Sequence, residues 1–212
     1  MSNRKINFNA GPTALPLAVL EQVQANLVNF EGNGLSLMEM SHRSAEFGAV
    51  IDRTKATIAG LYDLPDTHEV MFLQGGASLQ FAMVPLNLGA GGAYLDTGTW
   101  STRAIAEARV VGHATVPWSD VESGFRRVPQ QKDLDVFDVS GPYLHYTTNN
   151  TIYGTQYQYT PEVNAPLVAD MSSDFISRPV DVSGHDLIYA GAQKNAGPSG
   201  VVVLLARKEV VQ

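Results

Sequence analysis

The spacing of apolar residues changes once along this chain, near residue 62. Before that point the apolar positions recur at helical intervals. Leu17, Leu20, Val23 and Leu27 predict a helix from about Leu15 to Phe30. Phe47, Val50, Ile51, Thr54, Ile58 and Leu61 predict a second helix from Ser44 to Leu61, with Ser44 at its start. Gly32-Asn-Gly34 separates the two, and residues 1–14, with turn chemistry in Asn9-Ala-Gly-Pro-Thr13, read as an extended arm.

After that point the apolar residues come in short runs of strand length: Glu69–Leu73, Ala93–Leu95, His113–Trp118, Pro142–Tyr146, Leu167–Asp170, Leu187–Tyr189 and Gly200–Leu205. Helical stretches lie between some of them, from near Leu79 toward Leu86 and from Trp100 to Val111. Runs that are apolar on both faces predict a sheet covered on both sides, and strand–helix alternation predicts an α/β domain with a mainly parallel sheet. Ser119 to Asp138 is polar and reads as peripheral. Val201–Leu205 has the composition of a core strand, which is ordinarily followed by a covering helix. Only seven residues follow it, so the sequence is expected to be cut short.

Composition narrows the function classes. At 212 residues, 44% hydrophobic and 17% charged, the chain is expected to be one globular α/β domain, or one large domain with a fragment of another. The formal charge of −7 and the lack of a basic cluster argue against a nucleic-acid partner. With no cysteine there is neither a disulfide framework nor a thiolate metal site. No apolar run reaches the length of a membrane span, and the N-terminus lacks the apolar core of a secretory signal, so a cytoplasmic location is expected.

Candidate chemistry sits in the loops after the predicted strands, where open α/β sheets bind ligands. Gln74-Gly-Gly-Ala-Ser78 offers backbone N–H groups and a helix start to an anion, though alone such a segment is only a turn. Trp100, in Thr97-Gly-Thr-Trp-Ser101, suits stacking on a flat ring or a place in the core. Thr147-Thr-Asn-Asn-Thr-Ile152 supplies polar contacts or is a solvated loop. Asp170 ends an apolar run; a buried carboxylate needs a partner, and a protonated pyridine nitrogen is one, a helix cap or salt bridge another. Lys194 follows the run Leu187–Tyr189, where it can form an imine with an aldehyde cofactor or be a loop lysine. Together these loops supply the parts of a pyridoxal 5′-phosphate (PLP) site.

The chain resembles the phosphoserine aminotransferase family, fold-type I PLP enzymes of the class V aminotransferase group. The segments that carry the resemblance are Phe8-Asn-Ala-Gly-Pro12, Met40-Ser-His-Arg43, Phe72-Leu-Gln-Gly-Gly-Ala-Ser-Leu-Gln-Phe81, Val84-Pro-Leu-Asn-Leu88, Thr97-Gly-Thr-Trp100, Ala169-Asp-Met-Ser-Ser-Asp174 and Ala190-Gly-Ala-Gln-Lys-Asn195. The resemblance implies that Lys194 tethers PLP and shuttles a proton, Asp170 pairs with the ring nitrogen, and Trp100 stacks on the ring. Ala77 and Ser78 would hold the phosphate, and Thr151 and Gln193 would add polar contacts. His42 and Arg43 would bind substrate, Arg43 by its bidentate fork on a glutamate carboxylate.

The implied activity is transamination between L-glutamate and 3-phosphohydroxypyruvate, giving O-phospho-L-serine and 2-oxoglutarate in serine biosynthesis, by a homodimer. Residues 1–14 would be an arm at the active-site edge and 15–212 a PLP-binding large domain, incomplete at its C-terminus and with the small domain largely missing. Family members run longer, so the chain alone is expected to bind PLP weakly or not at all and to turn over little. Two alternatives remain: a non-catalytic fragment acting only in assembly, and a related class V enzyme using another amino donor. A nucleotide-binding module is disfavoured, because no Gly-x-Gly-x-x-Gly or Walker-type loop sits at a strand–helix turn.

Overall fold

A computed structural model describes residues 4–137 and 139–211. Its elements are α1 (Leu17–Asn26), α2 (Ala45–Leu61), β1 (His68–Gln74), α3 (Ala77–Leu88), β2 (Ala93–Asp96), α4 (Thr99–Val111), β3 (Thr115–Ser119), the single-turn α5 (Gln131–Leu134), β4 (Leu144–Thr147), β5 (Asn149–Asn150), β6 (Thr155–Gln156), β7 (Leu167–Asp170), β8 (Leu187–Gly191) and β9 (Val201–Arg207). All seven apolar runs become strands of one sheet, in the order β1-β9-β8-β7-β4-β2-β3.

Pairing is parallel throughout β3-β2-β4-β7-β8, while β9 runs antiparallel to both β8 and β1. The mainly parallel sheet is therefore as expected, with one exception of clear origin. A parallel return from β8 needs a crossover of a dozen or more residues. Only residues 192–200 separate β8 from β9, so they fold back as a hairpin whose loop carries Lys194. From β2 the chain steps to β3 on one side and to β4 on the other. The C-terminal ends of β2 and β4 thus flank the switch point of the sheet, where a crevice opens.

Strand side chains alternate between two buried faces. On one, Leu95, Tyr146, Ala169 and Ile188 pack with Ile58 of α2 and with Tyr62 and Phe175. On the other, Tyr94, Val168, Tyr189 and Val202 pack against Phe81 and Val84 of α3 and Ile105 of α4. Helices thus cover both faces. The start of α2 is as the sequence predicts, since the Phe47 N–H donates to Ser44 Oγ at 3.2 Å.

Four expectations need correction. α1 ends at Asn26 rather than Phe30, and its stripe does not reach a core: Leu17, Leu20, Val23 and Leu27 are all 36–54% exposed. Helical periodicity shows that a face is apolar, not what covers it. α3 begins at Ala77, two residues before Leu79, because Gly76 adopts the extended conformation of a helix cap. The polar segment from Ser119 is less peripheral than its composition suggests. Leu134 is buried, and the buried Asp120 accepts hydrogen bonds from Arg126 N–H (2.7 Å) and Arg127 N–H (3.1 Å); its last residue, Asp138, lies outside the described residues. Finally, part of the 147–152 segment forms the ribbon β5–β6 instead of a loop. Among the described residues, no helix is long and apolar enough to cross a membrane.

Candidate active site

Size and chemistry point to different cavities. A groove of about 800 Å³ runs past Leu134, Asp135, Pro161 and Gly184, and among the described residues no basic side chain lines it. A smaller cavity of about 100 Å³ opens at the C-terminal strand ends, lined by Gly76, Ala77, Ser78, Trp100, Thr147, Asp170, Ser172, Gln193 and Lys194, among others. The second holds a carboxylate, an amine and a helix start together, so it is the site capable of chemistry.

Asp170 closes β7 at the floor of this cavity and is 5% exposed. Its Oδ1 accepts from Ser172 N–H (2.9 Å) and Ser172 Oγ–H (2.6 Å), and Ser172 Oγ in turn accepts from Gly191 N–H (3.1 Å). Burial raises the carboxyl pKa above the ordinary value; the Ser172 bonds and the charge of Lys194 oppose that rise. The carboxylate is thus fixed in direction but, among the described residues, lacks a close cation of its own.

Lys194 is half-buried on the β8–β9 loop. The backbone of that loop is held from outside. Thr13 N–H donates to the Gln193 carbonyl (3.0 Å), Thr13 Oγ–H to the Lys194 carbonyl (2.7 Å), and Asn195 Nδ2–H to the Phe175 carbonyl (2.9 Å). The Lys194 side chain stays free to face the cavity, with Nζ 5.1 Å from the centre of the Trp100 ring. Trp100 lies in the first turn of α4. The turn before it is locked by Ser101 Oγ, which accepts from Thr97 N–H (2.8 Å) and Gly98 N–H (2.9 Å).

Among the described residues, three lining residues each leave one buried polar atom without a protein partner: Trp100 Nε1, Thr147 Oγ1 and Gln193 Oε1. Such groups cost free energy unless something polar meets them. The cap of α3, Gly76, offers no side chain to the helix start; Leu79 N–H is met by the Gly76 carbonyl at 3.0 Å, and Ala77 and Ser78, the first two residues of this 12-residue helix, line the cavity. A flat, polar, anionic molecule with one cationic edge would satisfy all these demands.

The structure gathers Ala77, Ser78, Trp100, Asp170, Gln193 and Lys194 around one cavity. It does not gather the other three predicted residues. Thr151 lies on the exposed turn between β5 and β6, which carries it away from the strand end. His42 and Arg43 are exposed on the approach to α2, outside the lining. Six lining residues are not among the predicted site residues: Gly76, Phe81, Thr147, Asn149, Ser172 and Ser173, of which Thr147 and Ser172 stand closest in sequence and register to Asp170. Thr147 sits opposite Asp170 in register, hence on the same face, and period-two counting along the neighbouring strand is the signal that could find it. Ser172 lies two residues past Asp170, the spacing of an Asx turn.

Beneath the sheet faces two histidines are held neutral. Burial pushes His145 down to about 3 and His185 down to about 4 from the ordinary 6.5. A depressed histidine pKa adds stability above the unfolded value of 6.5 and loses it as pH falls toward the folded value. The raised pKa of Asp170 has the opposite sign and returns some stability as pH falls toward 3.8. Denaturant melts between pH 6 and 4.5 are therefore expected to lose up to about 1.4 kcal/mol per pH unit for each histidine. Replacing His185 with asparagine should remove one proton from that slope.

The class-V aminotransferase family model matches residues 6–212. The phosphoserine aminotransferase of Geobacillus kaustophilus is 50% identical over 99% of this chain and 59% of its own length. That of Desulfatibacillum aliphaticivorans is 52% identical over 100% of this chain and 59% of its own. Among solved structures, phosphoserine aminotransferase from Bacillus circulans subsp. alkalophilus matches with a TM-score of 0.93 and 45% identity, covering 99% of this chain and 59% of the other. PLP-bound phosphoserine aminotransferase from Trichomonas vaginalis matches with a TM-score of 0.86 and 35% identity, covering 98% and 59%. The chain spans about 59% of the length of the curated relatives it matches.

Proposed function

The chain belongs to the class-V aminotransferase family, and from that premise we propose that the whole protein is a PLP-dependent transaminase. It would pass the amino group of L-glutamate to 3-phosphohydroxypyruvate, giving O-phospho-L-serine and 2-oxoglutarate for serine biosynthesis. The observation that carries this reading is the single cavity into which Asp170 and Lys194 both open beside Trp100. We further propose that residues 15–212 form a PLP-binding large domain, that residues 1–14 border its active site, and that the working unit is a cytoplasmic homodimer.

The residues present fit PLP. The N–H groups at the start of α3, with Ala77 and Ser78, would hold the phosphate. Asp170 would hold the ring nitrogen in its protonated form, which supplies the cation the carboxylate lacks. Trp100 would cover one face of the ring, and Thr147 and Gln193 would meet its polar substituents. PLP, when bound, supplies a cationic ring that withdraws electrons from a substrate α-carbon. Lys194 Nζ is the cavity's amine, so it would anchor the cofactor aldehyde and later carry the α-proton. Ser172 acts earlier, by aiming Asp170 at the cavity. His42 and Arg43 are assigned to substrate on the resemblance of Met40-Ser-His-Arg43 alone, and Thr151 to the cofactor on the same ground.

Borohydride reduction in the presence of PLP, followed by peptide mapping, tests the reading. A cofactor mass fixed on the peptide containing Lys194, and released from the unreduced protein by glutamate as the amine form, is the expected result. A protein that takes no label there, or labels surface lysines equally, overturns it and favours a fragment that serves only assembly.

A further inference from the structure

Residues 4–12 of the N-terminal arm are all exposed, and Thr13 is the first half-buried residue along it. Among the described residues, two hydrogen bonds tie residues 4–14 to the chain beyond α1, and Thr13 donates both. Its N–H meets the Gln193 carbonyl at 3.0 Å, and its Oγ–H meets the Lys194 carbonyl at 2.7 Å. Two residues earlier, the Gly11 backbone lies against the lysine itself: a Cβ built on it would stand 3.2 Å from Lys194 Cγ and 3.7 Å from Gln193 Cγ. The arm is thus fastened to the one loop that carries the cavity's amine.

That loop needs an outside hold. Its own turn is closed by the Ala192 carbonyl, which accepts from Ala196 N–H (3.0 Å) and Gly197 N–H (2.8 Å). The next two carbonyls, of Gln193 and Lys194, have Thr13 as their donor among the described residues. A lysine side chain is long and rich in rotamers, so its Nζ is placed only as well as its Cα and its stem are. Bonds to two successive carbonyls fix the backbone at 193 and 194. Gly11 then bounds the stem. The φ of Gly11 lies outside the left-handed region, so what demands glycine there is the space held by the lysine stem rather than the backbone.

We propose that Thr13 and Gly11 are positioning residues for Lys194. The arm is a strap that fixes the loop backbone through Thr13 and bounds the lysine stem through Gly11, so that Nζ opens into the cavity beside Trp100. What the amine does there rests on the PLP reading; the strap itself does not. Asn195 Nδ2–H ties the same loop to the Phe175 carbonyl at 2.9 Å, and the Ala192 turn closes it from within. Loosening the strap therefore displaces the lysine without unfolding the loop.

Three measurements test the strap. Amide exchange on the cofactor-free protein should find the Thr13 N–H about two- to tenfold slower, after correction for intrinsic rates, than those of Ala10 and Ala14, which are unbonded among the described residues. Thr13→Val keeps the shape and the N–H but loses the hydroxyl. In that variant, borohydride fixation of limiting PLP on Lys194 should fall about two- to tenfold, the worth of one hydrogen bond. Trace acetylation of Lys194 by acetic anhydride, counted against the other lysines, should rise, because the freed amine reaches water more often. Thr13→Ser, which restores the hydroxyl, should return both readouts to wild type. Gly11→Ala leaves both Thr13 bonds in place; it should keep the slow Thr13 exchange and still lower fixation. A Thr13 N–H as fast as its neighbours, wild-type fixation in Thr13→Val or Gly11→Ala, or serine behaving as valine overturns the proposal. Should Thr13→Val not fold, the exchange rate and Gly11→Ala decide the matter. A wild-type Lys194 that takes no PLP label ends the PLP reading instead, and acetylation then judges the strap alone: equal Lys194 acetylation in wild type and Thr13→Val overturns it.

Discussion

Lys194→Ala is expected to abolish fixation of PLP by borohydride and to lower transaminase turnover of the whole protein by about 10⁴-fold or more, the combined loss of a covalent anchor and a proton carrier. No other amine lines the cavity among the described residues, so nothing nearby can substitute. The fold should hardly notice. The loop is tied through the backbone carbonyls of Gln193 and Lys194, which alanine keeps, and those ties do not involve the half-buried side chain. Thermal stability of the cofactor-free protein should therefore shift within about 0.5 kcal/mol. Lys194→Arg sharpens the test. It leaves a cation beside Trp100 and Asp170 but no nucleophilic amine. Loss of fixation in both variants assigns the effect to nucleophilicity, whereas retention in the arginine variant would mean that another lysine takes the label. Millimolar small primary amines should restore part of the turnover of Lys194→Ala only.

Much of this site is legible in the sequence for a structural reason. Asp170 and Lys194 each stand just past a short apolar run, and both runs become neighbouring strands β7 and β8. Residues at strand ends can be placed from the linear sequence once the strands are known, because a parallel sheet brings all its C-terminal ends to one edge. Trp100, Ala77 and Ser78 follow the same rule through β2 and β1. Thr151 does not follow it. Four residues past the end of β4, it lies beyond a two-residue ribbon whose course depends on tertiary pairing, and spacing alone does not show that Thr147 lines the cavity instead. The antiparallel entry of β9 is also hidden, since composition does not encode strand direction; only the length of the 192–200 connection does. The role of Thr13 is invisible for a different reason. A threonine in an extended arm looks like turn chemistry, and its hydroxyl bond to the Lys194 carbonyl joins residues 181 positions apart. The stripe of α1 is legible as a pattern, but exposure at Val23 and Leu27 shows that the pattern does not name its covering surface.

Asp170→Asn is expected to separate what favours folding from what favours the cofactor. In the cofactor-free protein this carboxylate is buried, its pKa is raised, and so its ionised form at neutral pH opposes folding. Asparagine has nearly the same shape and can still accept from Ser172, so the cofactor-free variant should melt at a higher temperature than the wild type. With PLP the order should reverse. Removing one partner of a buried ion pair costs about 3–5 kcal/mol, which corresponds to a loss of affinity of about 10²–10³-fold or slightly more. The stabilisation that saturating PLP gives the wild type should shrink accordingly, because ligand stabilisation follows affinity by mass action. Calorimetry of both proteins with and without PLP reads all four states. A carboxylate kept only to brace Ser172 would make the opposite prediction: asparagine would leave PLP affinity unchanged and gain the cofactor-free protein nothing. The crossing of the two melting orders is thus a signature of a charge buried for a ligand rather than for the fold.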